Sequence, residues 1–271
     1  MSDTMPAPFD VRLMNLTASL LFAACFVLVL SAVLWWAARH SAFSIRSIEV
    51  DGEIVHANAQ TLRSNVAPKL NGNFFTVDLP ATRMAFESVP WVRRAVVSRE
   101  FPDRLRVSLR EQQAVALWGN PNGSQMLNEL GEVFEANVGE VDQDALPRLI
   151  GPDTQSAHLL DMFRALEPVL EPLDLGIEQL ELTGRGDWRV RLDSEGQIEL
   201  GTGTIADVLE RTSRFVRTAE NVTKQQGREP DAIESADLRY ADGYALRLRG
   251  VTTGVDAGKT TNRKNNSKKK R

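Results

Sequence analysis

Leu13 to Ala38 is a run of 26 residues with no charged side chain, bracketed by Arg12 and Arg39. A helix rises about 1.5 Å per residue, so this run reaches roughly 39 Å, more than the ~30 Å hydrocarbon core of a bilayer. A tilted spanning helix accommodates the excess. Trp35 and Trp36 fall at one end, where indole rings favour the head-group boundary. A cleaved signal peptide has a shorter apolar stretch and a small-x-small site after it, and no such site precedes Arg39 and His40. The run therefore reads as an uncleaved anchor over residues 13–38 with a short tail, 1–12, on one side. Its orientation is open on charge alone. Arg12 is the only basic residue before the helix, whereas Arg39 and Arg46 follow it closely. The one cysteine, Cys25, lies inside the anchor, so no intramolecular disulfide is possible.

Charge is unevenly placed along the 271 residues. The last fourteen hold seven Lys or Arg and no acid, which leaves 25 basic against 36 acidic residues in the body. An acidic body with a basic tail is not a nucleic-acid-binding face. Residues 256–271 read as a disordered tail, either a solubilising end or a contact to anionic lipid head groups or an acidic polymer.

Residues 43–112 read as a small domain. Ser44 to Val50 is a strand closed by the turn residues Asp51-Gly52. Asn58 caps a helix through Leu62 and Val66 that stops near Pro68. Asp78 caps a second helix, with Pro80 in its first turn, Met84, Phe86 and Val89 apolar, and Pro90 at its end. Val92 to Arg99 is a strand, and Phe101-Pro102-Asp103 a turn. Leu105, Val107 and Leu109 then alternate with Arg104, Arg106, Ser108 and Arg110, which predicts a half-buried strand with a basic outer face. Strand, helix, helix, strand, strand closes as a small sheet with both helices on one face.

Residues 113–255 read as a second α+β domain with a mainly antiparallel sheet. Val115 to Trp118 is a strand, and Met126 to Phe134 a hairpin through Leu130-Gly131. Gln155 to Glu167 is a helix with Leu159, Leu160, Phe163 and Leu166 on one stripe, ended before Pro168. Strands follow around Leu180 and Leu182, over Trp188 to Leu192, and at Ile198 and Leu200. Thr204 and Asp207 form a capping-box variant at the start of a helix bearing Ile205, Val208, Leu209, Phe215, Val216 and Ala219. Ile233 to Tyr240 and Tyr244 to Arg249 form a last strand pair joined by the hairpin signal Asp242-Gly243.

The order and wording resemble a known family. "IRSIEVDG", "VPWVRRAVVSREFPDRLRVSLREQQAVALWG" and "ADLRYADGYALRLRG" are similar to segments of the FtsQ/DivIB cell-division family, whose first soluble module is a POTRA (polypeptide-transport-associated) domain. Pro90, Trp91, Val92, Ala95, Val97, Arg99, Phe101, Pro102, Leu105, Val107, Glu111 and Ala116 stand at its pattern positions. Ala114 stands where the family usually has proline. The resemblance implies a type II inner-membrane protein with its N-terminus cytoplasmic and its body periplasmic, enriched at the division septum. It implies a scaffold linking early cytoplasmic division proteins to the FtsB–FtsL pair and to the septal peptidoglycan synthase FtsW–FtsI, with FtsK contacted through the POTRA domain.

Chemistry is sparse. His40, His56 and His158 are scattered with no second ligand at metal spacing. There is no Gly-x-Ser-x-Gly and no His-Glu-x-x-His. Gly201-Thr202-Gly203 lacks the third glycine and the lysine of phosphate loops, and reads as a strand-to-helix turn. The expectation is a binding protein with no catalytic residues, cofactor, metal, small-molecule substrate or nucleic acid. Two rivals are an anchored periplasmic cell-wall enzyme and a POTRA protein of outer-membrane transport, which carries a long alternating barrel that about 140 residues cannot supply. The candidate site is Tyr240 with Tyr244, Ala245, Leu246, Arg247, Leu248 and Arg249, an edge strand on which another chain can add. Tyr244, Leu246 and Leu248 share one side, and Ala245, Arg247 and Arg249 the other, a basic face suited to an acidic segment. The same pattern also describes an ordinary amphipathic strand whose charges protect an edge. The resemblance favours partner capture, since the family's terminal sheet docks FtsB.

Overall fold

The computed structural model describes residues 9–38, 40, 43–52 and 54–251; the expected basic tail and most of the N-terminal tail lie outside them. Helix α1, Phe9–Ala38, starts four residues before the uncharged run. Its apolar side chains are exposed around the whole circumference, from Leu13 and Phe22 to Trp36, and Cys25 is exposed among them. A 30-residue helix that is apolar all round and covered by none of the described residues is long and apolar enough to cross a membrane.

The chain divides into two compact units at Gln113 and Ala114. The first contains β1 (Ser47–Asp51), α2 (Ala59–Val66), α3 (Leu79–Glu87), β2 (Val92–Glu100) and β3 (Arg104–Glu111). The sheet order is β1-β3-β2, with β1 parallel and β2 antiparallel to β3. Leu105, Val107 and Leu109 are buried while the residues between them are exposed, as the period of two requires. Val107 and Leu109 pack under Leu62, Val66, Ala85, Phe86 and Val89. Asn58 caps α2 by accepting the Thr61 N–H, and Asp78 caps α3 by accepting the Ala81 N–H. The apolar Met84 is exposed, and Thr82 and Ala85 take the inner positions of α3 with Phe86. The first strand begins at Ser47 rather than Ser44, because the chain before it is held at the β2–β3 turn by the Arg46 N–H to Asp103 carbonyl bond of 2.9 Å.

Glu111 fastens this unit at the other end of β3. Its carboxylate, only 7% exposed, accepts the N–H groups of Val55 (2.9 Å), His56 (3.1 Å) and Ala57 (2.7 Å). His56 stacks on Trp91 with ring centroids 4.0 Å apart, and its Nδ1 lies 3.4 Å from the same carboxylate. Burial pushes the Glu111 carboxyl up, but the three backbone donors and His56 together outweigh it and hold the group below the ordinary carboxylate range.

The second unit is a nine-stranded mixed sheet. Its strands are β4 (Ala114–Trp118), β5 (Gln125–Asn128), β6 (Val133–Glu135), β7 (Arg148–Ile150), β8 (Ile177–Leu182), β9 (Trp188–Leu192), β10 (Gln197–Gly201), β11 (Ile233–Asp237) and β12 (Ala245–Leu248). They lie in the order β12-β11-β10-β9-β8-β7-β4-β5-β6. Five of the eight pairings are antiparallel; β7 runs parallel to both neighbours, and β10 is parallel to β11. Helices α4 (Ser156–Leu170) and α5 (Ile205–Gln225) cover one face. Leu159, Met162 and Leu166 of α4 and Val208, Phe215 and Ala219 of α5 meet Leu180, Val190, Ile198 and Ala236 of the sheet. The expected stop before Pro168 does not occur: Pro168 lies inside α4, which continues to Leu170. The stripe Leu159, Met162, Leu166, Leu170 keeps the helical period past the proline, and its burial offsets the ~3 kcal/mol that an interior proline costs. Thr204 and Asp207 make the expected capping box on α5.

Candidate partner-binding strand

Strand β12 ends the nine-stranded sheet, so among the described residues one of its sides has no neighbouring strand. Its position follows from α5, whose inner face holds the last segment down. Tyr244 packs edge-on against Phe215 at 5.0 Å between ring centroids, and its hydroxyl lies 2.9 Å from the Thr218 hydroxyl. Leu246 and Leu248 turn to the same core. Ala245 and Arg247 face outward on the uncovered side of the sheet. The Arg249 N–H donates to the Ala232 carbonyl at 2.8 Å, directed toward β11. Backbone groups of an extended strand alternate in direction, so the N–H and C=O of Leu246 and the N–H of Leu248 point to the open side.

Of the sequence-predicted residues, the strand therefore unites Ala245, Leu246, Arg247 and Leu248. Tyr244 and Arg249 flank it. Tyr240 is set apart in the connection between β11 and β12, where it is 58% exposed. The expected two-residue hairpin at Asp242-Gly243 is a longer connection instead, because Asp237 pairs with Ala245 and the strands part there. Hydrogen bonds from three residues hold the longer loop. The Leu238 N–H reaches the Glu199 carbonyl, Arg239 grips Asp237 at 2.6 and 2.9 Å, and Arg214 donates to the Ala241 carbonyl. Burial of Leu238 in the main core takes the chain off the β11 line.

The outer face is less basic than the strand suggested. Arg247 is paired with Glu234 on β11 at 3.1 Å. The Arg249 guanidinium donates to the Ser194 carbonyl. Farther across the sheet, Arg189 lies 2.7 Å from Glu199 and 3.4 Å from Glu181, and Arg191 3.1 Å from Glu178. The Arg239 hydrogen bond holds the Asp237 carboxyl below its ordinary range, and Asp237 in turn raises the Arg239 guanidinium. Glu234 and Asp237 were missed as site residues because a charge ladder across strands requires the register; cross-strand pairing is its only sequence signal. A shallow depression of about 390 Å³ lies on this face between Gln197, Ser235, Asp237, Ala245 and Arg247.

A cavity of about 920 Å³ lies in the first unit between β1 and α2. Ile48, Val50, Leu62, Val66 and Phe86 line it, and among the described residues no carboxylate, histidine or cysteine does. Among the described residues no group of three or more His, Cys, Asp or Glu could hold a metal.

Two family models match the chain: the FtsQ-type POTRA domain over residues 43–112, and the C-terminal region of cell division protein FtsQ/DivIB over residues 116–239. The chain is 39% identical over 253 residues to a cell division protein FtsQ of Burkholderia pseudomallei, covering 92% of this chain and 98% of the relative. The chain belongs to the FtsQ/DivIB family. Proteins of the same name from Bordetella pertussis and Thiomonas arsenitoxydans are 36% and 35% identical, over 88% and 90% of this chain and 92% and 89% of theirs. Its role is therefore in cell division, and α1 fits a single-pass membrane protein of that family. The second family match stops at Arg239, so Tyr240 and β12 lie beyond it.

Proposed function

We propose that this chain is a membrane-anchored scaffold of the cell-division machinery that captures a partner by strand addition along β12. The N-terminus lies in the cytoplasm, and the two folded units lie in the periplasm at the septum. The partner is FtsB, arriving with FtsL. Holding this pair beside FtsW–FtsI, with FtsK engaged through the POTRA domain, raises their effective concentration at one place. Binding, not catalysis, is the whole activity.

The observation that carries this reading is the open side of β12, with the Leu246 N–H and C=O directed into it. An added strand satisfies these groups by main-chain bonds, while Ala245 offers little steric hindrance on the outer face. Because Arg247 is already paired with Glu234, register is set more by backbone and shape than by net charge.

Leu246→Pro tests it. Proline removes the outward donor without removing a bond to β11, and proline is tolerated on edge strands for that reason. The variant retains its thermal transition within a few degrees and loses recruitment of FtsB in a membrane-intact pull-down. Recruitment at the unmodified level by a folded variant sinks the edge-strand mechanism and leaves family membership untouched.

A further inference from the structure

We propose that the β2–β3 turn end of the first unit is a lipid-contacting tip, whose exposed phenylalanines rest in the head-group layer of the membrane that α1 spans. Four aromatic rings from three separate segments converge there. Phe43 and Phe75 meet edge-on at 4.9 Å, Phe74 and Phe75 at 5.1 Å, and Phe74 and Phe101 at 6.1 Å. Phe74 is buried, but Phe75 is 48% and Phe101 74% exposed, so the cluster continues outward as an open aromatic surface. The arrangement is built rather than loose. The Phe74 N–H donates to the Phe43 carbonyl at 2.8 Å, and Arg99 donates to the Phe74 and Val77 carbonyls at 2.7 Å each. Arg46 and Asp103 are joined at the same end, 3.5 Å apart.

Covalent geometry identifies what covers this surface. Phe43 is five residues beyond Ala38, the end of α1, and five extended residues span at most ~18 Å. Trp35 and Trp36 place that end of α1 at the head-group boundary. The chain thus enters the unit at the tip. It can reach no other part of the unit first, because β1 starts opposite Arg104 and runs parallel to β3 away from the turn. An exposed aromatic patch tethered this close to a bilayer lies against lipid, because phenyl rings gain from leaving water there; Arg46 and Arg104, exposed at this end and paired with Asp103 and Glu49, leave the rim polar without excess negative charge. The consequence is an upright unit, its β3 axis directed away from the membrane, rather than a domain swinging freely on a linker.

The inference rests on α1 spanning the membrane, and the test separates the two. In the full chain with Cys25→Ser, single cysteines at Leu21, Arg104 and Arg110 carry a nitroxide, and the protein is reconstituted in vesicles of phosphatidylethanolamine and phosphatidylglycerol. Arg104 and Arg110 project from the same face of β3, at opposite ends. Collisions with oxygen and with a water-soluble nickel chelate read depth. The expected result is a hydrocarbon signature at position 21, a severalfold loss of nickel collisions at 104, and full aqueous exposure at 110. Adding Phe75→Ser and Phe101→Ser restores aqueous exposure at 104, with an unchanged near-ultraviolet circular dichroism spectrum showing that the fold persists. A fully aqueous 104 beside a hydrocarbon-buried 21 overturns the tip proposal alone. An aqueous 21 overturns the spanning helix and the proposal with it. Shielding of 104 that needs native membranes and is absent in pure lipid makes the occupant a protein and refutes lipid contact.

Discussion

Replacing Glu111 by glutamine isolates what one carboxylate does for the first unit. The side chain sits at the end of β3 and draws three successive N–H groups, those of Val55, His56 and Ala57, into a single anion site. That fixes the segment between β1 and α2, which borders the apolar cleft. Ala57 is buried and His56 half-buried, so their N–H groups find no ready substitute in water, whereas Val55 is exposed and rehydrates. Hydrogen bonds to a charged group contribute about 1.5–3 kcal/mol each, and a neutral one roughly half that. Glutamine keeps one acceptor oxygen, loses the charge, and turns an amide toward donors. The net loss is therefore about 2 kcal/mol, which lowers the midpoint of a unit this size by ~8–16 °C. The assay is thermal unfolding of the full chain in detergent, followed by near-ultraviolet circular dichroism, which reports the His56–Trp91 stack. The pH dependence supplies a second check. The folded carboxyl titrates below its ordinary value of 4.5, so the stability it contributes is complete above that pH and is lost as pH falls through the folded value. The gap between wild type and Glu111→Gln should close on acidification through that range. A gap under half a kcal/mol at neutral pH, or one that persists unchanged in acid, refutes the anion-site account.

Arg99→Lys keeps the charge but cannot span the two carbonyls at Phe74 and Val77, and should cost about 1–2 kcal/mol in the same melt while raising hydrogen exchange across residues 74–77. Gly131→Ala should cost about 2–4 kcal/mol in the second unit. Gly131 holds a φ of +77°, and an added Cβ would fall 2.5 Å from Ala157 Cα, at the start of α4. Chemical denaturation reads this loss directly, and a change below 1 kcal/mol would mean that the β5–β6 turn is free to move off α4.

The division of labour between sequence and tertiary structure is visible at particular residues. Local chemistry was legible wherever a residue's role depends on its near neighbours. Asn58, Asp78 and Thr204 cap helices as their side chains dictate, and Leu105, Val107 and Leu109 alternate inward because a pleat leaves no other choice. The uncharged run at the N-terminus fixed a long helix by composition alone. Where the reading failed, long-range packing decided. Pro168 stays inside α4 because Leu166 and Leu170 are both buried against the sheet. The turn at Asp242-Gly243 lost its two-residue hairpin because Leu238 sinks into the core. The candidate edge shows both halves of the lesson. That Tyr244 to Arg249 forms a strand could be read from alternation. That it lies at the end of a nine-stranded sheet, pinned from within by Phe215 and neutralised from without by Glu234, depends on register and strand order. Those are set by burial summed over residues far apart in the chain, and no local pattern encodes them.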